Sequence, residues 1–391
     1  MPQQTVCPTC AEPLDPDDVF CGVCGMNLSA PPPVPAPSTE PDFELEPAAG
    51  AGPGCVHCGG RQVAPDGYCE ACGGVQPRPR DHMEQSLPGV AGVSDRGVRH
   101  HRNEDSFMLA ATSLPGGASA VLAVVCDGVS SASRPDEASQ AAAEAASQSL
   151  LSTLEQGVAA EPAMRQAILT AADAVAALAY DGTAPTPHSN SPACTFVSTV
   201  AAAGVVTVGW VGDSRAYWIP DDREGAEPYR LTEDDSWAAR MVSAGLMGEA
   251  EAYADARAHA ITGWLGADAE EVEPHTVSFT PHVPGVLLVC TDGLWNYAEA
   301  ATQLADLVRA DARADPLRAA RVLVDFAITA GGHDNITVAV LPVAPLTVEG
   351  YTETLLDMKV LGPLPTQPAA PLAPPMPPVP PAVPAPAVPS D

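Results

Sequence analysis

Positively charged side chains are scarce in this sequence. The chain of 391 residues carries 18 lysines and arginines against 49 aspartates and glutamates, which gives a formal net charge of −31. Binding to nucleic-acid phosphates or to anionic lipid surfaces requires lysine and arginine to neutralise the phosphate charge. The composition therefore argues against a nucleic-acid partner and against a membrane partner, and it favours a well-solvated surface.

Long apolar runs are also missing. The most apolar stretch, residues 200–212, ends at Asp213 and is shorter than the roughly 18 to 20 residues that a membrane-spanning helix needs. The first residues contain no basic segment followed by an apolar one, so the sequence predicts no secretory signal. We therefore expect a cytoplasmic protein.

Cysteines are concentrated in one region instead of being scattered. Eight of the 11 lie before residue 73 as Cys-x-x-Cys pairs, and ten residues separate the two pairs of each unit. Two such turns direct four thiolates at one point, which is the closed tetrahedral shell of structural Zn²⁺. This spacing is typical of a double zinc ribbon, and redox-active dithiols are the alternative use of such pairs. The predicted ligands are Cys7, Cys10, Cys21 and Cys24 for one ion and Cys55, Cys58, Cys69 and Cys72 for a second.

Shifts in composition divide the chain into segments. We predict a first zinc ribbon at 1–28, a linker rich in proline, alanine and glutamate at 29–54, a second ribbon at 55–76, a globular domain at 88–345 and a disordered proline-rich tail at 362–391. The tail is expected to sample polyproline II, either as a spacer or as a docking segment for a protein partner. The acidic balance of the chain makes protein docking the better prediction for the ribbons as well.

Within the globular part, predicted strands and helices occur in separate runs. Apolar stretches rich in valine, threonine and aromatics predict strands at 121–126, 194–201, 205–211, 215–219, 286–291 and 336–341. Alanine-rich and periodic stretches predict helices at 138–154, 163–180, 300–309 and 316–330. Neighbouring strands joined by short turns indicate an α+β layered domain.

Acidic motifs recur at the ends of these strands. They contain Glu104, Asp105, Asp127, Gly128, Asp213, Asp292 and Asp334. A single Asp-Gly is usually only a turn, so the hypothesis depends on the ordered set. Converging carboxylates need cations to offset their repulsion, and hard oxygen ligands suit Mn²⁺ or Mg²⁺. Two such ions about 4 Å apart can share a bridging water, lower its pKa and supply a hydroxide for in-line displacement at phosphorus.

In this combination and order, the motifs resemble those of the type 2C family of metal-dependent serine/threonine protein phosphatases. The resemblance runs from Ser94-Asp95-Arg96-Gly97 to Asp334-Asn335-Ile336. It implies an α+β fold in which two antiparallel β-sheets pack as a central sandwich flanked by helices, with the metal site at one end. It also implies that residues 231–266 form a variable flap beside the site.

The same resemblance implies roles for individual residues. Asp127, Asp292 and Asp334 would form the catalytic centre, with Asp127 bridging two ions and the Gly128 carbonyl binding one of them. Glu104 would hold a metal directly or through water, Asp105 would support it, and Asp213 would help to hold a weaker third ion.

One position departs from the family pattern. The family usually has an arginine four residues before the motif glutamate, and this chain has His100 there. Because an imidazole cannot copy the bidentate grip of arginine on phosphate, Arg99 and His100 are both candidates for phosphate binding.

Three functions remain open from the sequence. The leading one is hydrolysis of phosphoserine and phosphothreonine on proteins that a serine/threonine kinase has phosphorylated. The second is a catalytically weak phosphoprotein-binding scaffold, a pseudophosphatase, recruited through the zinc ribbons. The third is an enzyme that acts on small phosphorylated molecules.

Overall fold

The computed structural model describes residues 55–64, 67–74, 76–180, 190–269, 271–309 and 311–345. The predicted first ribbon, with Cys7, Cys10, Cys21 and Cys24, lies outside the described residues, as do the linker and the proline-rich tail. Within the described part of the chain, every helix is too short or too polar to cross a lipid bilayer.

The elements follow one another from residue 82 to residue 343. The strands are β1 (His82–Leu87), β2 (Val90–Asp95), β3 (Ser106–Ser113), β4 (Ser119–Cys126), β5 (Ala193–Cys194), β6 (Phe196–Ala202), β7 (Val205–Val211), β8 (Arg215–Pro220), β9 (Tyr229–Arg230), β10 (Leu265–Gly266), β11 (His275–Phe279), β12 (Gly285–Cys290) and β13 (Ile336–Val343). The helices are α1 (Pro135–Glu155), α2 (Ala160–Ala177), α3 (Trp237–Ser243), α4 (Glu249–Tyr253), α5 (Asp292–Trp295), α6 (Ala301–Leu307) and α7 (Pro316–Ala330).

Two antiparallel sheets form the centre of the molecule. The six-stranded sheet has the order β1-β2-β13-β12-β8-β9, and the five-stranded sheet has the order β11-β7-β6-β4-β3. The short strands β5 and β10 pair with each other. Helices α1 and α2 cover the outer face of the five-stranded sheet, and α5, α6 and α7 cover the outer face of the six-stranded sheet. The predicted α+β sandwich flanked by helices is confirmed.

Strand alternation explains why these layers form. Successive side chains of a strand point to opposite faces, so a strand buried on both faces contributes to two cores. In β12, Leu287 and Val289 pack between the sheets, whereas Leu288 and Cys290 pack under the helices. In β4, which belongs to the five-stranded sheet, alternate side chains likewise pack between the sheets and under the helices. The apolar runs that predicted these strands therefore supply the three cores that hold the four layers together.

The structure adds elements that the sequence pattern did not predict. Strand β1 is an edge strand whose side chains are alternately exposed and half-buried, so it carries little apolar signal, and it begins before position 88. The predicted strand at 194–201 is divided into β5 and β6, which belong to different sheets. The strands β2 and β3 and the helices α3 and α4 of the predicted flap were also unanticipated.

Candidate metal centre

The strand ends place the acidic motifs at one edge of the sandwich. In an antiparallel pair, the end of one strand lies beside the start of its neighbour. β4 ends opposite the start of β3, and β12 ends opposite the starts of both β8 and β13. The residues that leave these strands are consequently neighbours in space. They are Glu104 and Asp105 before β3, Asp127 after β4, Asp213 between β7 and β8, Asp292 after β12, and Asp334 before β13.

The carboxylates of this edge strongly affect one another's protonation. Burial raises the pKa of Asp127 well above its ordinary value, and the neighbouring carboxylates of Asp105, Asp292 and Asp334 raise it further. Burial also raises the pKa of Asp292, and Asp334 and Asp213 add to the rise. Such repulsion needs compensation by positive charge before all these groups can ionise near neutral pH.

Asp105 has one satisfied oxygen and one without a partner. Its Oδ2 accepts hydrogen bonds from the hydroxyls of Thr337 at 2.7 Å and Thr291 at 3.0 Å. Its Oδ1 is buried and has no hydrogen-bond partner, and the same is true of Oδ1 of Asp292. Burial raises the pKa of Asp105 to about 7, the two threonine hydroxyls oppose the rise, and Asp334 adds to it. Two buried carboxylate oxygens without partners fit hard divalent cations, which prefer oxygen ligands.

Glu104 is held in place through both of its carboxylate oxygens. Arg102 Nε donates to Oε1 at 2.9 Å, and the Ser130 hydroxyl donates to Oε2 at 2.8 Å. Its backbone N–H donates to Asn335 Oδ1 at 2.7 Å. The side chain is therefore oriented before any ligand binds.

Asn335 organises this edge, a role that the sequence analysis did not assign to it. Besides accepting the bond from Glu104, its amide Nδ2 donates to the carbonyl oxygens of Arg96 at 2.7 Å and Arg102 at 3.1 Å. The Asn335 side chain thus joins the start of β13 to the loop that carries Glu104. The adjacent Asp-Asn pair was the available signal, but its partners lie more than 200 positions away in the chain.

Gly128 occupies a place that admits no side chain. An added Cβ would lie 2.6 Å from the Pro135 carbonyl oxygen and 2.7 Å from that of Glu104. The Gly128 backbone also forms an isolated bridge with Cys194. The glycine therefore permits a close backbone approach directly after Asp127.

A buried ion pair, Arg215 with Asp234, lies next to Asp213. Burial raises the pKa of Asp213 to about 7, with a further rise from Asp234. Arg215 binds Asp234 through two bonds of 3.0 and 2.6 Å, and its guanidinium lies 3.6 Å from the centre of the Trp295 ring. The indole N–H of Trp295 donates to the Asp213 carbonyl at 3.0 Å. The sequence analysis identified Asp213, but its contacts with this ion pair and with Trp295 could not be predicted.

The two candidates for phosphate binding have different surroundings. His100 Nε2 lies 3.1 Å from Asp334 Oδ1. Arg99 is exposed, and its guanidinium has no hydrogen bond or ion pair with a described residue. Both side chains line the same cavity as Glu104.

The cysteines of the second predicted ribbon form a compact cluster. The sulfur atoms of Cys55, Cys58, Cys69 and Cys72 all lie within 4.8 Å of one another, as one metal ion requires. Gly59 and Gly73 have φ angles of 72° and 70°, in agreement with the expected tight turns after the thiolates. The side-chain amide of Gln76 donates to the Cys55 sulfur at 3.1 Å.

Comparisons with known proteins agree with this arrangement. The chain is 34% identical over 132 residues to protein phosphatase PhpP of Streptococcus pneumoniae, which covers 34% of this chain and 50% of that protein. It is 29% identical over 150 residues to serine/threonine phosphatase stp of Listeria welshimeri, which covers 38% of this chain and 56% of that protein. The chain spans about half the length of the curated relatives it matches.

The fold is similar to that of solved phosphatase structures. The serine/threonine phosphatase Stp1 from Staphylococcus aureus superimposes with a TM-score of 0.51 at 22% identity, and the match covers 69% of this chain and 99% of that one. A family model described as protein phosphatase 2C matches residues 96–313, which include Glu104, Asp127, Asp213 and Asp292. Because this match extends over more than half of the sequence, the chain belongs to the protein phosphatase 2C family.

Proposed function

We propose that this protein is a metal-dependent phosphatase that removes phosphate from phosphoserine and phosphothreonine side chains of proteins. The observation that carries the proposal is the convergence of buried carboxylates at one sandwich edge, where Oδ1 of Asp105 and Oδ1 of Asp292 have no hydrogen-bond partner. Carboxylates arranged in this way need divalent cations for charge compensation. Membership of the protein phosphatase 2C family supports the same reaction.

Two Mn²⁺ or Mg²⁺ ions would be held by the residues of the sandwich edge. Asp127 would be shared between the ions, the Gly128 carbonyl would bind one, and Asp292 and Asp334 would bind the other. Glu104 and Asp105 would complete the surroundings, and Asp213 would hold a weaker third ion. When bound, the ions lower the pKa of water and supply a nucleophile for displacement at phosphorus at neutral pH.

Arg99 is the better candidate for holding the substrate phosphate. The His100 ring is already engaged by Asp334, and Arg102 is engaged by Glu104. The Arg99 guanidinium has no partner among the described residues and lines the cavity next to the metal centre. A guanidinium can bind two phosphate oxygens at once, which an imidazole cannot do.

The remaining parts of the proposal concern the ends of the chain and its location. The cluster of Cys55, Cys58, Cys69 and Cys72 would hold a structural Zn²⁺, and the first cysteine unit would hold another. The ribbons and the proline-rich tail would bind a protein partner. The protein would act in the cytoplasm on substrates of a serine/threonine kinase.

Phosphate release from a phosphothreonine peptide in the presence of Mn²⁺ tests the reaction. We expect turnover by the wild-type chain and a loss of at least about 10³-fold in kcat for Asp127→Asn and Asp292→Asn, because each removes a charge that the ions require. Asp306→Asn is a matched control, since Asp306 is an exposed carboxylate of α6 outside the metal centre. A wild-type chain that releases no phosphate over a range of Mn²⁺ and Mg²⁺ concentrations would support the scaffold function instead.

A further inference from the structure

A cavity of about 550 Å³ lies beside the metal centre, and the second ribbon forms part of its wall. Tyr68 lines it from the ribbon, and Arg78 lines it from the segment that follows the ribbon. Arg99, Arg102 and Glu104 line it from the loop before β3. Because Glu104 also belongs to the carboxylate edge, the cavity adjoins the proposed catalytic centre. Its volume is within the range of about 300–1,000 Å³ found for ligand pockets, and it exceeds what one phosphate group needs.

The charge of this cavity is opposite to that of the chain as a whole. Three arginines line it with one glutamate, in a protein with 18 lysines and arginines and 49 acidic side chains. Arg102 is compensated by Glu104 at 2.9 Å and by Asp136 at 3.6 Å. Arg99 has no such compensation from the described residues. The guanidinium groups of Arg78 and Arg99 therefore line the cavity in addition to the ion pair of Arg102.

The fold of the second ribbon determines where Tyr68 and Arg78 lie in the wall of the cavity. Tyr68 precedes the metal-binding Cys69, which forms an isolated bridge with Val63, and the backbone N–H of Ala64 donates to the Tyr68 carbonyl at 2.8 Å. The guanidinium nitrogens of Arg78 lie 3.6 and 3.7 Å from the position that a Cβ of Gly67 would take. The same turn that presents Tyr68 thus packs against Arg78.

We propose that this cavity binds an anionic group next to the phosphorylated residue of a peptide substrate, and that the second ribbon is part of the substrate-binding wall. The anionic group is a carboxylate or a second phosphate, both of which an arginine can bind through two hydrogen bonds. This inference rests on the proposed phosphatase function, and it adds a preference for acidic substrates that the metal centre alone does not supply. Arg99 holds the phosphate of the phosphorylated residue, Arg78 binds the neighbouring anion, and Tyr68 closes the wall.

Peptides that differ only beside the phosphothreonine test the inference. The first carries glutamines on both sides, the second carries glutamates, and the third carries a neighbouring phosphate as a non-hydrolysable phosphonate. For the full-length wild-type chain, we expect kcat/KM to be about tenfold higher for the second or third peptide than for the first. The second and third peptides distinguish a carboxylate from a phosphate as the preferred group. The preference should weaken as salt rises from 0.05 to 0.5 M, since the arginines are partly exposed and screened.

Variants connect the preference to the cavity. For each of the variants Arg78→Gln and Tyr68→Ala, kcat/KM on the acidic peptide is divided by kcat/KM of the same variant on the neutral peptide. We expect this ratio to fall to about 2 or less. Arg318→Gln is the matched control, because Arg318 is exposed on α7 and its guanidinium contacts Asp311 at a long distance of 3.4 Å. This control should keep the wild-type ratio.

A binding measurement separates failure of the inference from failure of the proposed function. Fluorescence anisotropy with labelled peptides that carry a non-hydrolysable central phosphonate reports on the preference even if no turnover occurs. Absence of turnover on p-nitrophenyl phosphate together with tighter binding of the acidic peptide would reject the phosphatase function and keep the anion site. Equal affinity and equal kcat/KM for acidic and neutral peptides would overturn the inference, as would a preference that Arg78→Gln leaves intact.

Discussion

The buried ion pair of Arg215 and Asp234 lies next to Asp213 at the carboxylate edge, and replacing its arginine has a calculable effect on stability. The side chains of Arg215 and Asp234 are 0% and 2% exposed. Arg215→Met removes the charge and the two hydrogen bonds but keeps a long side chain over the Trp295 ring. The Asp234 carboxylate then remains buried without its main partner, and the Trp295 indole that holds the Asp213 carbonyl loses the cation above it.

The expected loss of stability follows from these contacts. Removing one partner of a buried ion pair costs about 3–5 kcal/mol, and a desolvated cation–π contact contributes about 2 kcal/mol. Arg230, whose Nη1 lies 3.6 Å from Asp234, offsets part of this loss. We therefore expect the free energy of unfolding to fall by about 4 kcal/mol. With a urea dependence of about 3 kcal/mol per molar for a domain of this size, the urea midpoint should fall by about 1.3 M.

Urea unfolding followed by far-ultraviolet circular dichroism measures this change, with Mn²⁺ present throughout. The double variant Arg215→Met/Asp234→Leu should recover much of the loss, because no charge is then left buried without a partner. Arg318→Met should cost less than about 0.5 kcal/mol, as expected for an exposed arginine. A fall of less than 1 kcal/mol for Arg215→Met would refute the assignment of Arg215 as a buried partner that stabilises Asp234 at the carboxylate edge.

Three other perturbations test separate parts of the structure. Asn335→Ala should raise the Mn²⁺ dissociation constant about 10- to 100-fold by isothermal titration calorimetry, because Glu104 and its loop lose the amide that orients them; an unchanged affinity would contradict this role. Burial raises the pKa of Asp105 and that of Asp213 from 3.8 to about 7. Because the folded state holds these protons more tightly than the unfolded state, their contribution to the stability of the fold is complete below pH 3.8 and is lost as the pH rises through 7. The metal-free protein should therefore lose up to about 4 kcal/mol per group between pH 4 and pH 8 in urea unfolding, whereas a flat pH profile would show that these carboxylates are not buried together. Cys69→Ser should release one equivalent of zinc by colorimetric assay and leave the circular dichroism of the sandwich unchanged, and retention of all the zinc would contradict the four-cysteine site.

The strongly apolar elements of the fold could be predicted from the sequence. The strands β4, β7, β12 and β13 are buried on both faces, and their continuous apolar runs give a clear signal. The Ala-rich helices α1 and α2 were equally clear. Strand β1 lies at a sheet edge, and β9 and β10 contain two residues each, so these strands depend on pairing partners that no local pattern reveals.

The acidic residues of the candidate site could be identified from the sequence, but the contacts that position them could not. Asp127 and Asp292 each follow an apolar strand, and this local pattern placed them at a sheet edge. The hydroxyls of Thr291 and Thr337 bind Asp105 from positions 186 and 232 residues away in the chain. Such contacts arise only when the two sheets pack, which is why the network around Asp105 could not be predicted from motifs.

The carboxylate edge draws its residues from both sheets. Asp105 and Asp127 border strands of the five-stranded sheet, whereas Asp292 and Asp334 border strands of the six-stranded sheet. A divalent ion bound there would link the two halves of the sandwich and stabilise the folded chain by about 2.7 kcal/mol at 100 times its dissociation constant. The supply of manganese or magnesium in the cell would then govern the protein's resistance to proteolysis, and hence its abundance, as well as its turnover.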